Sequence, residues 1–196
     1  MMKKSELRKW YREERAQLTA LEKHTASEQI TSSFLSFFAE KKLSKVHVFL
    51  SIQRQNEIDT QLLIDSLLKD KIRVFVPKLI GENMISVELL PTTKIEVNSW
   101  GIPEPTSNDA YTENDYDAVI TPLLYCDHQG NRVGYGKGFY DEFFSSLSPE
   151  VLKIGLNYFP PLHQISDVRP EDIPLDYLVL PNEVLSFGSF KSKSTK

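Results

Sequence analysis

Gly130-Asn131-Arg132-Val133-Gly134-Tyr135-Gly136-Lys137-Gly138-Phe139-Tyr140-Asp141 holds four of the chain's eight glycines, interleaved with an arginine, a lysine and a closing aspartate. Glycine at positions 134, 136 and 138 opens backbone angles closed to other residues and lets main-chain N–H groups approach an anion with no Cβ in the way. Arg132 can grip a phosphate through two parallel donors, whereas Lys137 acts as a mobile point charge near transferring oxygens. Asp141 suits a divalent cation. An apolar run, residues 118–122, precedes the stretch and a helical pattern over residues 139–147 follows it. Strand, loop and helix therefore succeed one another, with phosphate expected near free N–H groups where that helix opens. The spacing is neither of the two common phosphate loops: Lys137 is followed by Gly138 where a Walker loop needs Ser or Thr, and Phe139 stands where a dinucleotide fingerprint needs its third glycine. A glycine-rich hairpin is the plain alternative.

Working outward, Leu7, Trp10, Leu18 and Leu21 recur at helical spacing and predict a first helix, and a second follows with Ser27 as its cap and Ile30, Phe34, Phe37 and Phe38 on its buried side. Residues 46–51, 60–69 and 72–77 read as a strand, helix, strand unit, and residues 84–90 as a further strand. The proline-rich stretch 100–105 predicts a rigid loop without regular structure, and residues 153–156 and 177–180 are the last strands. Such alternation predicts an α/β fold: an open, mainly parallel twisted sheet with helices on both faces, in a single domain over residues 1–188, with ligands gathered at strand carboxyl ends. Residues 189–196 are small, polar and basic, and are expected to form a disordered tail.

With 196 residues, 40% of them hydrophobic, the chain can bury one sizeable core. A net charge of −4 argues against a surface built for general nucleic-acid binding, so any polyanion is met locally. The single cysteine, Cys126, excludes an intramolecular disulfide and a multi-cysteine zinc site, which fits a reducing compartment. No signal-like or membrane-spanning stretch is visible, so a cytoplasmic protein is expected, with no membrane association and no obligate protein partner.

Other candidates are weaker. Lys4 and Arg8 project from one face of the first helix and can clamp a phosphate, although charged helix faces are usually just solvated. Glu57 sits at a strand end that can face a ligand, and Asp59 is more simply a helix cap. Asp172 and Asp176 flank Pro174; either orients hydrated magnesium with Asp141 or serves a turn. The histidines at 24, 47, 128 and 163 show no metal-ligand spacing and no hydrolase triad. Trp100 and Tyr158 can stack on a flat heterocycle or seal the rim of a core.

Taken together, Lys4-Ser5-Glu6-Leu7-Arg8, Asn56-Glu57-Ile58-Asp59-Thr60, Gly101-Ile102-Pro103-Glu104-Pro105 and above all Arg132 through Asp141 resemble the 5-formyltetrahydrofolate cyclo-ligase family. The resemblance runs in order over nearly the whole chain. It implies ATP-dependent closure of 5-formyltetrahydrofolate to 5,10-methenyltetrahydrofolate with release of ADP and phosphate. By the same resemblance Lys4, Ser5, Glu6, Leu7 and Arg8, together with Arg132, Val133, Gly134, Tyr135, Gly136, Lys137, Gly138, Phe139 and Tyr140, are the expected ATP contacts. Asp141 and Asp176 are the expected Mg2+ residues, and Glu57 a substrate contact. The second folate contact is Leu50 or Ile52, because this chain carries extra residues at positions 53–55. The family's histidine before the aspartate is here Glu171, which weakens Asp172 as a ligand. A catalytically silent folate- or nucleotide-binding regulator and a sugar-phosphate isomerase are the competing readings.

Overall fold

A computed structural model describes residues 1–81 and 83–188, so the tail expected over residues 189–196 lies outside the described residues. Two helices lead, α1 (Lys4–Gln17) and α2 (Ala20–Phe38), followed by β1 (Lys45–Val48), α3 (Gln61–Lys69), β2 (Arg73–Ile80) and β3 (Asn83–Glu88). A hairpin of β4 (Ile95–Val97) and β5 (Pro103–Pro105) precedes β6 (Ala118–Pro122), which leads into a second hairpin, β7 (Tyr125–Cys126) and β8 (Arg132–Val133). Then come α4 (Phe139–Ser145), β9 (Leu152–Leu156), β10 (Tyr177–Val179) and β11 (Val184–Ser186).

Seven strands form one sheet in the order β11-β10-β9-β6-β1-β2-β3. The inner pairs are parallel and the two edge strands run antiparallel. Side chains alternate between the faces. Val46, Val48, Val74, Val76, Ile120, Ile154 and Leu156 point into a layer shared with Ile30, Phe34 and Phe38 of α2 and Leu63, Ile64 and Leu67 of α3. Phe75 and Val119 point the other way, against Phe143 and Phe144 of α4. This is the expected open α/β sheet with helices on both faces. One close approach sets its thickness near β9: a Cβ on Gly155 would lie 2.7 Å from Leu175 Cδ1 and 2.8 Å from Leu123 Cδ2, so no larger residue fits. Among the described residues no helix is long and apolar enough to cross a membrane.

From β1 the chain proceeds to β2 on one side, and later returns to β6 on the other. The crevice at the carboxyl ends of β1 and β6 is therefore the topological switch point, where open parallel sheets bind ligands.

The structure corrects three local readings. The cap of α2 is Thr19 and not Ser27: Thr19 Oγ1 accepts from Glu22 N at 3.2 Å while Glu22 Oε2 accepts from Thr19 N at 2.8 Å, a reciprocal box that starts the helix eight residues earlier. Ser27 lies inside the helix and accepts from Asp59 N at 3.0 Å. The helix break at Leu18 also resets the phase, so the buried stripe of α1 is Leu7, Tyr11 and Arg15, while Trp10, Leu21 and Phe37 are exposed. Finally, Pro103–Pro105 is a strand. Its prolines oppose Val97 and Ile95, whereas the ladder bonds run from Asn98 N to Ile102 O and from Thr106 N to Lys94 O, each 2.9 Å. The prolines occupy positions that need no donor.

His47 of β1 is fully buried among Tyr116, Tyr140 and Phe143, and neither ring nitrogen has a partner. Burial lowers it from 6.5 to about 3. Because the folded value lies below the unfolded one, the unfolded chain binds the proton first, and stability is lost as pH falls from the ordinary histidine range towards 3. His47→Phe removes two unpaired polar atoms and this proton-linked loss; the variant is expected to gain about 1 kcal/mol and to show a flatter fall of melting temperature with pH in a calorimetric series.

Candidate active site

Downstream of β6 the chain turns through the β7–β8 hairpin, and one buried carboxylate organises that turn. Asp127 Oδ1 accepts from Gln129 N at 2.9 Å and Asn131 N at 3.0 Å, while Oδ2 accepts from Asn131 Nδ2 at 3.1 Å and Ile165 N at 3.2 Å. Beyond β8, the loop from Gly134 to Gly138 is exposed at 136–138, and Gly136 and Gly138 adopt φ of 90° and 78°, left-handed values that side chains resist. The helix after it has only seven residues. An anion placed here would meet loop N–H groups and cations more than a helix dipole.

Several cations converge on this loop. Arg8 Nε donates to Gly134 O at 2.9 Å, and its guanidinium lies 3.4 Å from where a Cβ on Gly136 would be. Arg132 is nearly buried, donates to Asp141 Oδ1 at 2.6 Å and to Ile173 O, and lies 4.7 Å over the Phe144 ring. Burial disfavours its charge and holds the guanidinium below its ordinary value, and Asp141 and Asp172 offset this only in part. Lys137 is exposed and makes no ion pair or hydrogen bond among the described residues. Lys4 pairs with Asp172. Of the other residues in the first-helix segment, Ser5 and Glu6 are exposed, Glu6 accepting from Lys3 N, and Leu7 is core. Val133 is core as well, whereas Phe139 and Tyr140 are half-exposed on α4.

The acidic candidates separate. Among the described residues Asp141 Oδ2 takes no protein hydrogen bond, since Arg132 and Ile173 N both use Oδ1. Asp176 instead precedes β10, accepts from Lys153 N at 2.8 Å and pairs with Lys153 Nζ at 3.6 Å. Burial raises the Asp172 carboxyl, and bonds from Lys4 and Arg169 N outweigh it, leaving it below the usual range. Among the described residues no cluster of three His, Cys, Asp or Glu could hold a metal. A half-open carboxylate beside a phosphate loop nevertheless suits magnesium, which keeps several waters and takes phosphate oxygens. Cys126 is buried and its thiol is pushed up by burial, so it is no nucleophile.

Across the crevice stands Glu57. Its Oε2 accepts from Ile52 N at 2.7 Å, and its Oε1 is buried without a partner. Burial pushes the carboxyl up, while Ile52 N, Tyr135 and Arg15 pull it down. Tyr158 donates through its hydroxyl to Glu57 O at 2.9 Å, which brings this candidate to the same place. Leu50 packs at the margin of the core, whereas Trp100 is 56% exposed at the tip of the β4–β5 hairpin. Sequence reasoning missed Asp127, Arg15 and Asn157. A lone acid in a turn and an arginine in a charged helix carry no spacing signal; only the helical phase Leu7, Tyr11, Arg15 pointed at the last.

Comparison with known proteins shows which family the chain resembles. The sequence profile of the 5-formyltetrahydrofolate cyclo-ligase family matches residues 1–179. A 5-formyltetrahydrofolate cyclo-ligase of Haemophilus influenzae is 32% identical over 186 residues, covering 90% of this chain and 97% of its own. Its Escherichia coli K12 counterpart is 29% identical over 179 residues, covering 88% and 97%. The solution structure of Aquifex aeolicus 5,10-methenyltetrahydrofolate synthetase superposes with a TM-score of 0.80 at 31% identity, over 97% of this chain and 96% of that one.

Because Asp127 satisfies the hairpin turn from a fully buried position, Asp127→Ala leaves several donors unpaired. Chemical denaturation is expected to show a loss of about 3 kcal/mol, and calorimetry a weaker affinity for ATP, since the loop loses its anchor.

Proposed function

The chain belongs to the 5-formyltetrahydrofolate cyclo-ligase family, and on that footing we propose that it closes 5-formyltetrahydrofolate to 5,10-methenyltetrahydrofolate in a cytoplasmic, magnesium-dependent reaction that converts ATP to ADP and phosphate. The observation that carries this reading is the convergence of Arg8, Arg132 and Lys137 on the glycine loop, whose Tyr135 is held by Arg15 on the side of the crevice where Glu57 is buried. One side offers charge for a triphosphate, and the other a carboxylate for a polar heterocycle.

A formyl amide oxygen is a poor leaving group. In the proposed reaction it attacks the γ-phosphorus and ADP departs, which leaves an electrophilic carbon between N5 and the phosphorylated oxygen. N10 attacks that carbon, its proton passes to solvent or phosphate, and the C–O bond breaks to release inorganic phosphate. The chain's part is positioning and charge neutralisation. Loop N–H groups and Arg8 hold the phosphates in register. Arg132, anchored on Asp141 and Ile173 O, presents a charge that needs no reorganisation during transfer. Lys137, exposed and unpaired among the described residues, is free to follow the γ-phosphoryl oxygens. Glu57 accepts N–H donors of the folate, with Leu50 or Ile52, Tyr158 and the rim residue Trp100 as the remaining contacts. Asp141, with Asp176 implied by resemblance, would hold magnesium, which would neutralise triphosphate charge. No observation favours a silent regulator.

The test is the rise of methenyl-folate absorbance with 5-formyltetrahydrofolate, magnesium and ATP, against a control lacking ATP. Lys137→Ala should lower kcat/KM about 100-fold without moving the melting temperature, because the side chain is exposed. A flat trace from folded protein would overturn the assignment, and folate binding without product would point to the silent binder.

A further inference from the structure

Arg15 is the charged group that no site reading has yet used. It sits in the last turn of α1, only 2% exposed, where a guanidinium is tolerated only if its neighbours compensate it. Those neighbours come from every part of the crevice. Its Nη2 donates to Leu123 O just past β6 and to Asn157 Oδ1 just past β9 at 3.2 Å, and its Nη1 donates to Tyr135 Oη in the glycine loop at 3.3 Å. The guanidinium also lies 5.6 Å from the ring centre of Tyr158, which holds Glu57 O.

Resting on the function proposed above, we propose that Arg15 is a positioning residue that joins the two halves of the site, fixing Tyr135 in the loop and lying over Tyr158, which holds Glu57, as the cation on the folate side. Glu57 is faced by Arg15 from α1, Tyr135 from the loop, Tyr140 from α4 and Tyr158 beyond β9, and Arg15 is the cation among them. The hydroxyl of Tyr140 is buried without a partner, so it does not compensate the carboxylate. Ile52 N supplies a single hydrogen bond, and Oε1 has none. Burial dominates and raises the carboxyl, and Ile52 N, Tyr135 and then the Arg15 charge oppose it. Removing that cation therefore makes Glu57 take up its proton at a higher pH, and a ligand that needs the carboxylate loses affinity from a higher pH downward.

The experiment is calorimetric titration of 5-formyltetrahydrofolate across the acidic and neutral range, in full-length wild type, Arg15→Gln and Arg15→Lys, with circular dichroism as the folding control. In Arg15→Gln the acidic limb of folate affinity is expected to move up by about one pH unit. Arg15→Lys keeps the charge and loses the fork, so its limb stays near wild type while KM for ATP rises about tenfold. A role in packing alone lowers melting temperature and leaves the limb in place, and that result with folded Arg15→Gln overturns the proposal. If Arg15→Gln does not fold, Arg15→Lys decides: an unchanged KM for both substrates overturns it. Wild type that binds folate without forming product sinks the catalytic reading alone, because the limb is read from binding. Wild type that binds no folate sinks both.

Discussion

The pairing of β1 with β6 is the constraint from which the rest follows. Val46, His47 and Val48 lie opposite Ala118, Val119 and Ile120 in parallel register, although the two strands come from distant parts of the chain. Parallel neighbours cannot be joined by a tight turn, so each must send its chain away from the same end of the sheet. One departs through Phe49, Ile52 and Glu57 towards α3, and the other through Leu123 and the hairpin towards the glycine loop. The crevice exists because these departures diverge, and its two walls carry different chemistry for the same reason.

On those walls the charges are already placed. A chain with a net charge of −4 assembles a cationic loop, and it does so by tying Arg132 to Asp141, Lys4 to Asp172 and Arg8 to a backbone carbonyl. Groups held this way do not need to reorient when charge develops on a ligand, which is where electrostatic catalysis gains over water. Among the described residues, buried polar atoms without partners occur both at the crevice, in Arg15 Nε and Glu57 Oε1, and away from it, in the His47 ring, Ser86 Oγ and Tyr116 Oη. Each is costly in a folded core.

Most of the sheet was legible because parallel strands buried on both faces read as continuous apolar runs, and β6 was found to the residue. The glycine loop was legible for the opposite reason, as its composition has few structural uses. What escaped was set by tertiary context. The two-residue strands β7 and β8 are too short to show a period. Pro103–Pro105 reads as a loop until a partner strand shows which positions need donors. The start of α2 depended on the reciprocal bond of Thr19 with Glu22, and the apolar pattern masked it with a better-looking stripe. Arg15 was hidden because charge in a helix signals solvent, and only a folded neighbourhood supplies the acceptors that bring it inside.

The docking of α1 has a consequence in time. Its buried face is matched by Leu124, Tyr125, Val133 and Ile165, and the bond from Arg15 to Tyr135 spans 120 residues. At the pace of a ribosome, on the order of ten seconds separates the helix from its partners. For that interval a nascent chain carries Leu7, Tyr11 and a guanidinium with nothing to close over them, and Met2 waits longer still for its bridge to Ile165. The hairpin before the glycine loop thus acts as the latch for a helix made long before it, and that wall of the crevice closes only after most of the chain has been made.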